Sequence, residues 1–179
     1  MSDSKTSVRL AISACLLGHR VRYDGGHKSS ALLQQWPVEW HPICPEVAIG
    51  MGTPRPPIEQ RYLNQELMVV EVGNWQQRYH HLLAGYAEQV AAYIKKHRIS
   101  GYVLMQKSPS CGLQSSALYD KDKTIRTDAE GYFVAALRQQ LPQLPMVEEA
   151  ILKDATLQQR FLQRAQNYAE LSYFSAAPV

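Results

Sequence analysis

No stretch of the chain approaches the ~20 consecutive apolar residues that a membrane helix requires, and the opening MSDSKTSVRL lacks the hydrophobic core and cleavage site of a secretory signal. No membrane association is expected, and the cytosol is the expected location. Cysteine is scarce: three in 179 residues, an odd number and widely spaced, which argues against a secreted disulfide scaffold and leaves buried thiols, a reactive thiol or metal ligands. Charge of one sign is lacking too, because 19 Lys and Arg face 16 Asp and Glu. A net charge of +3 falls short of the dense basic stripe that marks a nucleic-acid binder. There is no internal repeat, low-complexity block or Gly/Ser linker. What remains is a globular domain, 45% hydrophobic, long enough to bury a core without staples.

Short apolar runs at 8–14, 38–44, 67–72 and 101–106 read as strands of a sheet covered on both faces. Helical patterns separate them. One is expected from Trp75 to His97, with Asn74 as N-cap and Tyr79, Leu82, Leu83, Tyr86, Val90, Tyr93 and Ile94 inward. A second should follow a capping box from Thr127 to Glu130 and bury Phe133, Leu137 and Leu141. A last one should span about Thr156 to Leu171. Strands alternating with helices predict a layered, Rossmann-like α/β domain with a mainly parallel sheet, whose ligands sit outside the carboxyl ends of the strands.

The cysteines obey that rule. RLAISAC ends at Cys15, WHPIC at Cys44, and GYVLMQKSPSC reaches Cys111 after a short turn. A single free cysteine is usually a small buried hydrophobe. Here the neighbours are Gly18, Pro45, Glu46, Ser108, Pro109, Ser110 and Gly112, which shape loops and supply polar groups, so a shared site is favoured. With 28 residues between the first two cysteines and 66 between the last two, there is no local C-x-x-C pair of the structural zinc kind. A Cys3His zinc site would need His27, His41 or another histidine. A 4Fe-4S cluster on three thiolates, with one iron open to substrate, is the other solution. Spacing alone does not choose between them.

Three blocks, SACLLGHRVRYDGGHK (13–28), CPEVAIGMGTPRPP (44–57) and KSPSCG (107–112), together resemble the thiouracil desulfurase family, long catalogued as a domain of unknown function. The resemblance covers roughly residues 8 to 150. It implies a 4Fe-4S enzyme that removes sulfur from thiolated uracil without net redox chemistry, the cluster being held by Cys15, Cys44 and Cys111. It implies catalytic roles for Glu46, two residues after the second cysteine, and Ser108, three before the last. By residue chemistry Glu46 suits a general base and Ser108 a donor to the ring nitrogen, with Ser110 as the alternative hydroxyl. The competing readings are a helix cap for Glu46 and a turn cap for Ser108. The family's glycine-rich approach near residue 130 is reduced here to Gly131 in TDAEGYF. The cluster domain is expected over residues 1–151. Residues 152–179 read as a helix and tail like the segment that leads, in longer relatives, into a second domain thought to bind RNA.

The first block adds Arg20, Arg22 and Lys28 close to Cys15, and RYDGGHK reads as a glycine-assisted turn from which Tyr23 or Asp24 can reach substrate. Arg55, between Pro54 and Pro56, has little backbone freedom and suits a uracil carbonyl or a phosphate. Lys95, Lys96, His97 and Arg98 at one helix end, with Arg20, Arg22 and Arg55, offer a basic surface path toward the cysteines. Trp36, Trp40 and Trp75 are candidate stacking platforms, although core packing is the commoner use. An enzyme acting on a small thiolated pyrimidine ranks first. Its variant on 4-thiouridine in tRNA is possible but not favoured. The competing class is a noncatalytic iron–sulfur or zinc protein, which has no need of a base beside an open coordination position.

Overall fold

The computed structural model describes residues 8–121 and 123–174. In chain order the elements are β1 (Arg9–Ser13), α1 (Ala31–Gln34), β2 (Glu39–Ile43), α2 (Pro45–Ala48), β3 (Ile58–Leu63), β4 (Glu66–Glu71), β5 (Asn74–Arg78) and α3 (His80–His97). They continue with β6 (Gly101–Leu104), β7 (Ser116–Asp120), β8 (Lys123–Ala129), α4 (Tyr132–Gln140), β9 (Met146–Glu148) and α5 (Ala155–Ala169).

A parallel sheet in the order β2-β1-β6-β9 carries the core, built from the expected runs at 8–14, 38–44 and 101–106 together with β9, whereas the run at 67–72 pairs in a different sheet. Its inner strands show why it is covered on both faces. Side chains alternate along a strand, so Ala11, Tyr102 and Leu104 meet Leu83, Ala87, Val90 and Ile94 of α3 and Phe133 and Leu137 of α4. Leu10, Ile12 and Val103 face the other way, against Leu33, Trp36 and, from α5, Phe161 and Ala165. Burying each such Leu, Ile or Phe contributes ~1.5–3 kcal/mol, and both faces of β1 and β6 gain it. Helices therefore flank the sheet on two sides.

A second sheet, β5-β4-β3-β7-β8, is antiparallel except for the β3–β7 pair. It overturns two helix boundaries expected from sequence. Residues 74–78 pair with β4 instead of opening a helix: Gly73, at φ 80°, turns the chain back, and Trp75 stacks on the Arg61 guanidinium at 3.9 Å. Thr127 belongs to β8, held by β7, so the expected capping box does not form and α4 starts at Tyr132 after Gly131. Helix α5 forms where expected. Asp154 caps it, accepting N–H bonds from Thr156 and Leu157, and its apolar face ends early, because Leu171 lies in a π-helical turn and is 75% exposed.

Candidate active site

The chain leaves β1 for β2 on one side and later places β6 and β9 on the other, so the strand order reverses between β1 and β6. A crevice at the carboxyl ends of such strands is where open α/β sheets bind ligands. Here it is a cavity of about 250 Å3 whose lining includes Cys15, Cys44 and Cys111. Cys15 sits in the tight turn Ala14–Leu17, closed by Gly18 at φ 95°, and its carbonyl accepts the Lys28 N–H at 2.9 Å. Cys44 follows β2 directly and precedes the single turn of α2. Cys111 ends the turn that leaves β6.

That turn is tied from several sides. Ser108 Oγ accepts the N–H groups of Ser110 (3.2 Å) and Cys111 (3.0 Å), and the Ser108 carbonyl accepts from the Gly112 N–H and the Ser116 hydroxyl. The first N–H groups of α4 close the far side, with Tyr132 donating to the Pro109 carbonyl and Val134 to that of Ser110. Such an approach needs Gly131, since a Cβ there would lie 2.5 Å from the Ser110 carbonyl oxygen. Beyond the cysteine, Glu148 at the end of β9 accepts from the N–H groups of Leu113 and Gln114 and from the Ser115 hydroxyl.

All three thiols are free. Burial pushes each upward, Cys15 to about 11, and their mutual proximity adds to this: Cys44 raises both Cys15 and Cys111. In the absence of a metal they are neutral near pH 7. Among the described residues no group of three or more His, Cys, Asp or Glu is arranged to hold a metal ion. The thiols instead share the lining of one cavity, which suits a body larger than an ion. A soft, three-thiol donor set with no disulfide fits a cluster of iron and sulfide.

Glu46 lies in the first turn of α2 and is the centre of the polar wall. Its Oε2 accepts from Arg55 Nε (2.9 Å) and Nη2 (2.7 Å), and its Oε1 accepts from the Ser110 hydroxyl (2.9 Å). The Arg55 and Glu46 side chains are only 3% and 13% exposed. Arg55 also donates to the Gly52 carbonyl at 2.9 Å, so its guanidinium is engaged by protein on several sides. Ser110 is fully buried behind Glu46 and is not part of the cavity lining, whereas Ser108 is.

Arg22 and Tyr23 line the cavity, with Tyr23 44% exposed. Asp24 does not reach the cavity lining: its carboxylate is exposed and accepts the Gly26 N–H at 2.9 Å, a bond that holds its acid below the usual range. Trp36 and Trp40 stack on each other at 5.8 Å in the second core cluster, and with Trp75 on β5 none of the three tryptophans lines the cavity. The expected basic path from Lys95 to Arg98 is not formed. Those residues end α3 beside the start of β6, where Ser100 donates to Arg9 at the start of β1, so they lie at the opposite end of the sheet from the cysteines. The lining also includes Ser13, Met105 and Lys107, to which the sequence reading assigns no role. Ser13 was visible as a polar residue at the end of an otherwise apolar strand.

The sequence matches the 2-thiouracil desulfurase family over residues 10–149. The uncharacterized protein YbbK of Bacillus subtilis (strain 168) is 31% identical over 111 residues, 58% of this chain and 72% of YbbK. A solved [4Fe-4S]-dependent thiouracil desulfidase, TudS (DUF523Vcz), superposes with a TM-score of 0.69 at 29% identity, covering 86% of this chain and 98% of that one. A family match over most of the chain, together with a shared fold, leads to one assignment: the chain belongs to the 2-thiouracil desulfurase family.

Proposed function

We propose that the protein removes sulfur from a small thiolated uracil, giving uracil and sulfide, with a 4Fe-4S cluster held by Cys15, Cys44 and Cys111. The observation that carries the reading is the sharing of one cavity by three free thiols and a buried, oriented carboxylate. A structural metal site has no use for that carboxylate. When bound, such a cluster supplies Lewis-acid chemistry at the iron that lacks a protein ligand, which makes a thione sulfur a better leaving group.

The chain's own groups do the rest. Arg55 and Ser110 occupy three acceptor positions of Glu46, which fixes the carboxylate plane and leaves acceptor capacity for a water proton, the role of general base. Ser108 Oγ already accepts two backbone N–H groups, so its own hydrogen is free to be donated to the pyrimidine ring. Arg22 and Tyr23 shape the entrance, and the cavity's modest volume favours a free base or nucleoside over tRNA. The reaction balances as a hydrolysis: water supplies the oxygen of the new C–O bond, the C–S bond breaks, and sulfur departs as sulfide with its electron pair. No oxidant or reductant is consumed.

The test is an anaerobic assay of cluster-loaded protein with 2-thiouracil, 4-thiouracil and thiolated tRNA side by side, following uracil and sulfide. Stoichiometric sulfide from a free base is expected, with Glu46→Gln keeping its iron and losing most of the rate. Loaded protein that releases no sulfide from any of the three ends the proposal, and tRNA turnover more than tenfold above the free bases reverses the substrate ranking.

A further inference from the structure

Glu148, the last residue of β9, is half-buried and stands outside the cavity lining, yet one of its oxygens serves both ends of the turn that carries Ser108 and Cys111. At the far end, Oε1 accepts the Leu113 N–H at 2.7 Å and the Gln114 N–H at 3.3 Å. It also accepts the Ser115 hydroxyl at 2.5 Å. With its hydrogen committed to Glu148, the Ser115 oxygen is left as an acceptor, and it takes the Lys107 N–H at 2.6 Å at the near end. Glu148 and Ser115 together close a clip across residues 107–115.

The near end needs such a clip. Lys107 lines the cavity with φ 57°, a left-handed conformation that a lysine keeps only where its surroundings impose it. The next residue is Ser108. Its own bonds run to Ser110, Cys111, Gly112 and Ser116, none of them in the parallel sheet. Glu148 is in that sheet, in register with Leu104 at the end of β6, so the clip ties the turn to the strand ends that build the cavity. The Cys111 side is held separately, by the Tyr132 and Val134 N–H groups of α4 on the Pro109 and Ser110 carbonyls.

We infer that Glu148 is a positioning residue for Ser108: through Ser115 it holds Lys107 in its left-handed conformation and so sets where the Ser108 hydroxyl stands in the cavity. The inference rests on the donor role of Ser108 proposed above. A misplaced donor costs rate more than binding when its bond to substrate tightens in the transition state. The turn stays anchored beside Cys111, so the cluster is kept. Glu148 acts as an acceptor, a part that a carboxamide oxygen can also play.

The experiment uses anaerobically loaded wild type, Glu148→Leu, Glu148→Gln, Ser108→Ala and the Ser108→Ala/Glu148→Leu double variant, with iron per chain and the kcat and KM for 4-thiouracil. Glu148→Leu should keep its iron and lose about tenfold or more in kcat, with KM within about twofold of wild type. Glu148→Gln should retain most of the rate. The double variant should be no slower than the slower single one, because both changes remove the same contribution. Should Glu148→Leu not fold, Ser115→Ala takes its place in the same cycle, since it breaks the bridge and leaves Glu148 its two backbone donors. Wild-type kcat in Glu148→Leu, a Glu148→Gln protein as slow as Glu148→Leu, or losses that multiply in the double variant overturn the inference and leave the desulfuration reading standing. Loss of iron in both Glu148→Leu and Ser115→Ala overturns it too, since the clip would then serve the cluster. An undiminished rate in Ser108→Ala overturns the donor role and this inference with it, and a loaded wild type that releases no sulfide overturns the proposed function as well.

Discussion

Replacing Arg55 by Met removes the guanidinium from Glu46 and keeps the apolar stem in place. The structure sets the size of the effect. With side chains 3% and 13% exposed, this pair is buried, unlike the surface ion pairs whose worth is ~0–1 kcal/mol. The variant leaves Glu46 with the Ser110 hydroxyl alone and leaves the Gly52 carbonyl without its donor. Removing one partner of a buried pair costs ~3–5 kcal/mol, because the remaining charge is desolvated without compensation. For a chain of this size each kcal/mol is roughly 2–4 °C of Tm, so thermal unfolding of the metal-free protein at pH 7 should fall by roughly 6–20 °C. Adding Glu46→Gln to Arg55→Met removes the stranded charge and should recover part of that loss. The assay is circular dichroism melting of the wild type, both single variants and the double. A loss below about 1 kcal/mol in Arg55→Met would mean that Glu46 is solvated, refuting the oriented-base argument.

Gly131→Ala should destabilise the protein by ~1–3 kcal/mol or more and lower iron uptake, because its Cβ would meet the Ser110 carbonyl carbon at 2.6 Å. Gly85→Ala in α3, where nothing lies within 4 Å, should instead be neutral or stabilising by ~0.5–1 kcal/mol; chemical denaturation separates the two outcomes. Tyr102 is fully buried, and among the described residues its hydroxyl has no hydrogen-bond partner, so Tyr102→Phe should leave the metal-free protein as stable or up to ~1–3 kcal/mol more stable, and a clear loss in the same melts would reveal a partner. Metal-free protein should also lose stability in alkali. Burial raises the folded-state pKa of Cys15 above its unfolded value, so its contribution is complete below pH ~8.5 and is lost as pH rises toward about 11. Melting from pH 7 to 11 checks this, and flat stability across that range would contradict the buried-thiol geometry.

The positions of the cysteines were legible because they rest on a robust rule. Apolar strands mark the sheet, and ligands collect at their carboxyl ends, so the sequence alone gathers Cys15 after β1, Cys44 after β2 and Cys111 after β6. The second sheet was less legible. Every residue of β5 is exposed, as are all of β8 but Ala129, so neither strand carries the apolar alternation that announces one. Trp75 and Tyr79 happened to fall in phase with α3, which drew the expected helix backward across a turn. Within the site, side-chain types were readable but pairings were not. Arg55 looked free to meet substrate, and only the path of the loop brings it onto Glu46. In sequence Ser108 stood ahead of Ser110 through the family resemblance, with Ser110 kept as the alternative hydroxyl, and the structure puts Ser108 on the cavity and Ser110 against the Glu46 carboxylate.

The central claim is that three thiols at the strand ends hold one cluster that works on a thiolated pyrimidine. Its most direct test is iron and sulfide analysis of protein loaded anaerobically, for wild type and for Cys15→Ser, Cys44→Ser and Cys111→Ser, each then given 4-thiouracil. About four irons and four sulfides per wild-type chain, with sulfide released from substrate, and loss of both in every variant, is the predicted result. Full iron content and turnover in any one of the three variants, or a wild type that binds a single zinc in place of a cluster, would contradict it.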